Sequence, residues 1–249
     1  MGVINGTMWS DALGMNVGYT AALPEGMKGP YEVLYLLHGH SDDHHAWLYH
    51  TGLTRYLEGR NLAVFMPQVH LSFYADMAAG GKYWTFISEE FPDKLHNIYN
   101  ISDKREETFV AGLSMGGYGA FKWGLNKPEI FRGVASFSGA LDVVALWEAD
   151  QDRNKTFLHS FGSVDALRGS INDLVAVARK LSPTDDLPAY YQSCGSEDFL
   201  IENNRSFKEV MAPFDFIYTE RPGVHDWNYW DAELPLLFKW MDGLKNDNT

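Results

Sequence analysis

Residues 107–125, "ETFVAGLSMGGYGAFKWGL", run from a short, continuously apolar stretch through Ser114 into a segment with helical spacing. The passage holds G-L-S-M-G at Gly112 to Gly116, the G-x-S-x-G pattern. A serine there sits on a strained strand-to-helix turn with its Oγ exposed, and side chains two residues away on either side would collide, so glycine occupies both places. Five residues alone are a weak signal. The context strengthens it, because a strand precedes, a helix over Met115 to Leu125 follows, and that helix's N-terminus offers N–H groups and a positive dipole end to an oxyanion beside Ser114.

Outward from this turn, apolar β-rich runs alternate with longer amphipathic or polar stretches. The strand candidates are residues 31–39, 61–68, 107–114, 133–140, 189–196 and 214–221. Helices are expected at about His44 to Leu57, Tyr83 to Ile98, Met115 to Leu125, Val164 to Leu181, Glu202 to Met211 and Asp231 to Leu244. The first thirty residues, with "MNVGYTAALPEG", read as a hairpin pairing antiparallel onto one sheet edge. The expected class is α/β, a mostly parallel central sheet with helices on both faces. No repeat, low-complexity tract or long linker divides the chain, so residues 1–249 read as one domain. Residues 141–182, the longest interval between strand candidates, mix aromatics with charge and fit either a small cap-like insertion walling a pocket or an ordinary crossover helix with a long lead-in.

A formal charge of −13 disfavours nucleic acid and anionic membrane as partners. No basic region precedes an apolar core at the N-terminus, no stretch reaches transmembrane length, and Gly2 lacks a myristoylation pattern, so no leader or anchor is expected. The lone Cys194 excludes an internal disulfide and suits a reducing, cytoplasmic setting.

A serine hydroxyl needs a base, most readily a histidine oriented by a carboxylate. "CGSEDFL" places Asp198 just past a strand end, and "RPGVHDW" places His225 in the loop after the last strand. The order Ser114, Asp198, His225 puts each residue at the C-terminal end of a strand, where open α/β sheets carry their sites. Glu197 competes with Asp198, which would otherwise serve as a helix N-cap, and His225 would otherwise be a surface-loop histidine. No other histidine follows Asp198, and His159, His96 and His70 lack a matching position.

"LLHGHSDDHHAW", residues 36–47, gathers four of the nine histidines and suggests a metal site, with His40 and His44 spaced as a helical pair. His40, however, follows a strand end and falls in a turn, which spoils the pairing. In the serine reading no metal or cofactor is needed. Instead His40 contributes its backbone N–H to an oxyanion hole with that of Met115, Gly39 permits close backbone approach, and Ser41 or Asp42 caps the next helix. His38 reads as a buried, hydrogen-bonded stabiliser of the loop.

These residues together resemble the esterase D group of the α/β-hydrolases, and within it the bacterial tributyrin esterases. The likeness runs in order through "YEVLYLLHG", "NLAVFMP", "KREETFVAGLSMGGYGAFK", "ASFSGAL", "CGSEDFL" and "GVHDWNYW". It implies an acyl esterase of small-molecule esters with Ser114 as nucleophile, Asp198 as acid, His225 as base, and the His40 and Met115 N–H groups as oxyanion donors. It also implies homo-oligomerisation. Asp42 stands where relatives often carry glycine, and is expected to keep the loop because Asp tolerates left-handed backbone angles. The cysteine of S-formylglutathione hydrolases is missing from the corresponding loop, which argues against that thioesterase role. Relatives include feruloyl and sugar-ester enzymes, so the acyl group stays open between acetyl to butyryl and cinnamoyl. Phe73, Tyr74, Trp84, Trp147 and Trp227 are candidate pocket walls. A binding module on a hydrolase scaffold is the rival from another class; its mark would be a missing triad member.

Overall fold

The computed structural model describes residues 1–150 and 154–246. Eight strands form one sheet: β1 (Gly2–Ser10), β2 (Met15–Leu23), β3 (Glu32–Leu37), β4 (Leu62–Pro67), β5 (Thr108–Leu113), β6 (Gly133–Phe137), β7 (Ala189–Gly195) and β8 (Phe216–Arg221), in the order β1-β2-β4-β3-β5-β6-β7-β8. From β4 to β8 all neighbours are parallel, with Val33 level with Thr108 and Phe109 level with Gly133. The β1–β2 hairpin adds antiparallel onto β4, Tyr19 opposite Pro67. This is the mostly parallel α/β arrangement expected from the alternation of runs, and it agrees with the α/β-hydrolase fold that the resemblance implies.

The continuously apolar strands follow from burial on both faces. Side chains alternate across β3, so Val33, Tyr35 and Leu37 enter one core and Leu34 and Leu36 the other. Eleven helices flank the sheet among the described residues: α1 (Ala46–His50), α2 (Leu53–Tyr56), α3 (Tyr83–Thr85), α4 (Phe91–Ile98), α5 (Met115–Asn126), α6 (Val143–Ala149), α7 (Asn154–Phe161), α8 (Val164–Leu167), α9 (Leu174–Ala178), α10 (Ile201–Met211) and α11 (Trp227–Asn246). Tyr118, Phe121 and Trp123 of α5 and Phe207 of α10 pack into the first core. Trp47 of α1, Leu53 of α2 and Leu234, Phe238 and Met241 of α11 pack into the second. Among the described residues no helix is long and apolar enough to cross a membrane.

Three helices depart from expectation. The helix over His44 to Leu57 is broken at Thr51, whose backbone is extended and whose Oγ1 accepts from the Leu53 N–H while donating to the Trp47 carbonyl. Asp231 completes the break by accepting the Gly52 N–H at 2.7 Å. The helix over Val164 to Leu181 is likewise split, because Gly169 adopts φ +68° and Asp173 caps a new helix by accepting from Ala176. The C-terminal helix begins four residues early, at Trp227, with Asp226 accepting the Tyr229 N–H.

Candidate active site

Parallel strands bring their C-terminal ends to one sheet edge, and the loops after β3, β5, β7 and β8 meet there. At the end of β5 Ser114 takes φ 52° and ψ −117°, a sparsely populated backbone that projects its side chain above the edge. A β-carbon at Gly112 would overlap the backbone of Gly116, and one at Gly116 would overlap the carbonyls of Leu37 and His38. Both glycines of the motif are therefore steric requirements.

His225 Nε2 lies 3.0 Å from Ser114 Oγ, and His225 Nδ1 lies 2.8 and 3.0 Å from the two Asp198 carboxylate oxygens. An ionised carboxylate only accepts, so Nδ1 carries the proton and Nε2 presents its lone pair to the serine hydroxyl. Asp198 is buried and also accepts the Leu200 N–H at 2.8 Å, which fixes the carboxylate plane and gives it a turn-forming part as well. Phe199 packs against the imidazole at 4.4 Å and Trp230 meets it edge-on at 4.9 Å. Glu197, the rival acid, is exposed and points elsewhere: it accepts the Gly223 N–H at 2.8 Å and so ties down the loop that carries His225.

The loop after β3 passes close to the elbow, for a β-carbon on Gly39 would stand 3.6 Å from Ser114 Cβ and collide with Leu113 and Asp42. The left-handed residue in this loop is Ser41, at φ 66°, and not Asp42. Nor does Ser41 or Asp42 cap α1, since the side-chain contact at that turn runs from the His45 N–H to Asp43. His38 is buried, its Nε2 accepting from the Val69 N–H at 3.1 Å and its Nδ1 donating to the Gly39 carbonyl at 2.8 Å. Burial pushes its pKa down to about 4. The Tyr74 hydroxyl donates to the His38 carbonyl at 2.9 Å, and Lys122, itself buried, donates to the Tyr74 carbonyl at 2.6 Å. Burial lowers the Lys122 pKa to about 7. The other histidines of this stretch have partners of their own: His44 Nδ1 bonds Thr20 Oγ1, the His44 and His45 rings lie 3.8 Å apart with His45 also stacked on Tyr49, and His40 lies near Phe73. Among the described residues no three His, Cys, Asp or Glu side chains converge as metal ligands.

A cavity of about 290 Å³ opens on Ser114, His40 and His225, walled by Phe73, Phe157 and Phe199. Of the five candidate walls, Phe73 lines it and Trp227 lines an adjoining cleft. The other three are buried and line neither cavity. Tyr74 props the loop after β3, Trp84 covers the Lys122 ammonium at 4.4 Å from ring centroid to Nζ, and Trp147 packs on Phe157. Missing from the expectation were Phe199 and Leu200, although they directly follow Asp198, and Thr156 and Phe157, which come from the segment considered as a pocket wall. Met115 supplies the first N–H of α5, a position with no intrahelical acceptor.

Known proteins share the fold and match most of the chain. The Esterase family model matches residues 10–241. An acetyl esterase of Caldicellulosiruptor saccharolyticus is 33% identical over 220 residues, covering 84% of this chain and 83% of that protein. The S-formylglutathione hydrolase FrmB of Staphylococcus aureus, solved as the apoenzyme, is 30% identical with a TM-score of 0.86 over 96% of this chain and 98% of its own. A solved ferulic acid esterase is 25% identical with a TM-score of 0.83 over 98% of both chains. A serine, a histidine and a carboxylate in register at the edge of such a sheet, in a chain so matched, place this protein in the esterase family, as a carboxylesterase on an α/β-hydrolase fold.

Proposed function

We propose that this esterase hydrolyses small-molecule esters of short acyl groups, acetyl to butyryl, through an acyl-enzyme on Ser114. The hydrogen-bonded line from Asp198 through His225 to Ser114 carries the reading. His225 Nε2 takes the hydroxyl proton as Ser114 Oγ bonds the ester carbonyl carbon, and the N–H groups of Met115 and His40 stabilise the oxyanion. Collapse breaks the carbon–oxygen bond to the alcohol, which receives that proton from His225. Water then repeats the attack and frees Ser114 and the acid. Asp198 keeps the imidazole in the tautomer this needs.

Cavity size supports the short acyl range. About 290 Å³ lies at the floor of the range of roughly 300–1,000 Å³ for sites that enclose drug-sized ligands. A cinnamoyl group is the second reading, favoured by the phenyl walls Phe73, Phe157 and Phe199. Homo-oligomerisation and cytoplasmic residence belong to the same proposal. The first is supported by the long edge strand β1 with Val3, Ile4 and Trp9 exposed, and the second by the reduced, buried Cys194.

The test is hydrolysis of p-nitrophenyl acetate, butyrate and octanoate and of methyl ferulate by wild type and Ser114→Ala. Turnover that prefers acetate or butyrate and drops by roughly a thousandfold or more in the variant is expected. Equal turnover by both proteins contradicts the serine mechanism, and preference for the ferulate exchanges the acyl group for the second reading.

A further inference from the structure

Two clefts, not one, reach the reactive atoms. Beside the phenyl-walled cavity, a second of about 280 Å³ is lined by Ser114 and His225 together with Asp42, Asp226, Trp227 and Trp230. The apolar cavity suits the acyl carbons. The second cleft is built from the residues that follow His225, the group that must protonate the departing oxygen, so it lies where a leaving group would leave. Its chemistry is distinct: two carboxylates, two indoles and, among the described residues, neither lysine nor arginine in the lining of either cavity. Beyond Asp42 the surface continues into a shallow depression bearing Asp43 and Tyr49.

The two carboxylates differ in their settings. Asp226 accepts from the Tyr229 N–H and from Asn228, which hold it below the ordinary carboxylate range. Asp42 is half-buried, which raises its pKa, while a hydrogen bond with the Gly39 backbone opposes the rise. Beside them, His50 stacks on Trp227 at 4.8 Å. With the imidazoles neutral, the carboxylates set the sign of the cleft. Carboxylates beside aromatic faces attract cations and repel anions, the more strongly where walls exclude water.

We infer that the second cleft receives the leaving group and selects neutral and cationic alcohols or thiols over anionic ones, with Asp42 as a specificity-determining residue. The inference rests on the serine mechanism proposed above. It also separates this chain from an enzyme built for a glutathione thioester, whose leaving group is net anionic.

Three acetyl thioesters with one acyl group test it at pH 8: acetylthiocholine, its neutral isostere 3,3-dimethylbutyl thioacetate, and S-acetylglutathione. The released thiol is read with a disulfide reagent, and Cys194, the single cysteine, is buried away from it. The expected order of kcat/KM is cation, neutral, anion, with a cation-to-anion ratio of about a hundredfold that falls by about tenfold in Asp42→Asn. Raising the salt to about 0.5 M should compress the wild-type ratio in the same direction, a reading independent of how well the variant folds. A ratio near or below one, or one that neither the substitution nor salt moves, overturns the leaving-group assignment. If p-nitrophenyl acetate is still cleaved in a Ser114-dependent manner, the mechanism survives that result. Absence of all turnover in wild type sinks the mechanism and the leaving-group assignment together.

Discussion

His38 shows how much one buried side chain can couple to the site without touching substrate. Its neutral imidazole bridges the Val69 N–H and the Gly39 carbonyl, and protonation would turn Nε2 from acceptor to donor facing that N–H. With its pKa pushed down to about 4 by burial, the folded chain stays unprotonated where the unfolded chain, near the reference value of 6.5, takes up a proton. The stabilisation is fully present above the unfolded value and is lost as pH falls from there towards 4. Between pH 6.5 and 4.5 this group accounts for roughly 2 kcal/mol of lost stability. Urea unfolding of wild type and His38→Gln at the two pH values should show the wild type losing more by about that amount; parallel losses would contradict the assignment. At this scale the sequence was most readable where chemistry demands a residue type. Ser114, Asp198 and His225 are named by motif and chain order, and His38 by its position at a strand end. Asp42 was misread as the left-handed residue because an Asp and a Ser both tolerate turns, and only the closure of the loop decides that Ser41 takes that place.

The elbow is the element on which the rest hangs. Its helix α5 is buried on nearly every side, between β5, β6 and the loop after β4, so glycines replace side chains where backbones touch. Gly116→Ala would drive a methyl into the carbonyls of Leu37, which ends β3, and of His38, which opens the loop after it. The expected cost is about 3 kcal/mol or more, read as a lowered denaturation midpoint, together with loss of esterase activity; an unchanged midpoint would show that the loop can move aside. The strand and helix character of this element was legible because apolar periodicity and the glycine pattern agree. The breaks at Thr51 and Gly169 were not, since each depends on partners brought by the fold: Asp231 for the first, and for the second Tyr118 and Asn126 of α5, which donate to the Asn172 and Ile171 carbonyls.

Across the whole molecule the site gathers residues far apart in sequence, Ser114 and His225 being 111 positions apart, because a parallel sheet delivers every strand end to one edge. That rule let the chain order anticipate that Ser114, Asp198 and His225 meet. The pocket wall obeys no such rule. Phe157 reaches the cavity from α7 in the crossing from β6 to β7, and composition cannot distinguish it from Trp147, Tyr74 or Trp84, which are equally aromatic and equally buried. If Phe157 sets the depth of the acyl cavity, Phe157→Ala should raise the octanoate-to-acetate ratio of kcat/KM by about tenfold, whereas an unchanged ratio would remove it from the wall. The most direct measurement of the central claim is covalent labelling of the native enzyme with a fluorophosphonate ester, followed by mass-spectrometric mapping of the modified peptide. The mechanism predicts one label per chain, on Ser114, in step with the loss of esterase activity; full inactivation with the label on another residue, or activity that persists after Ser114 is labelled, would contradict it.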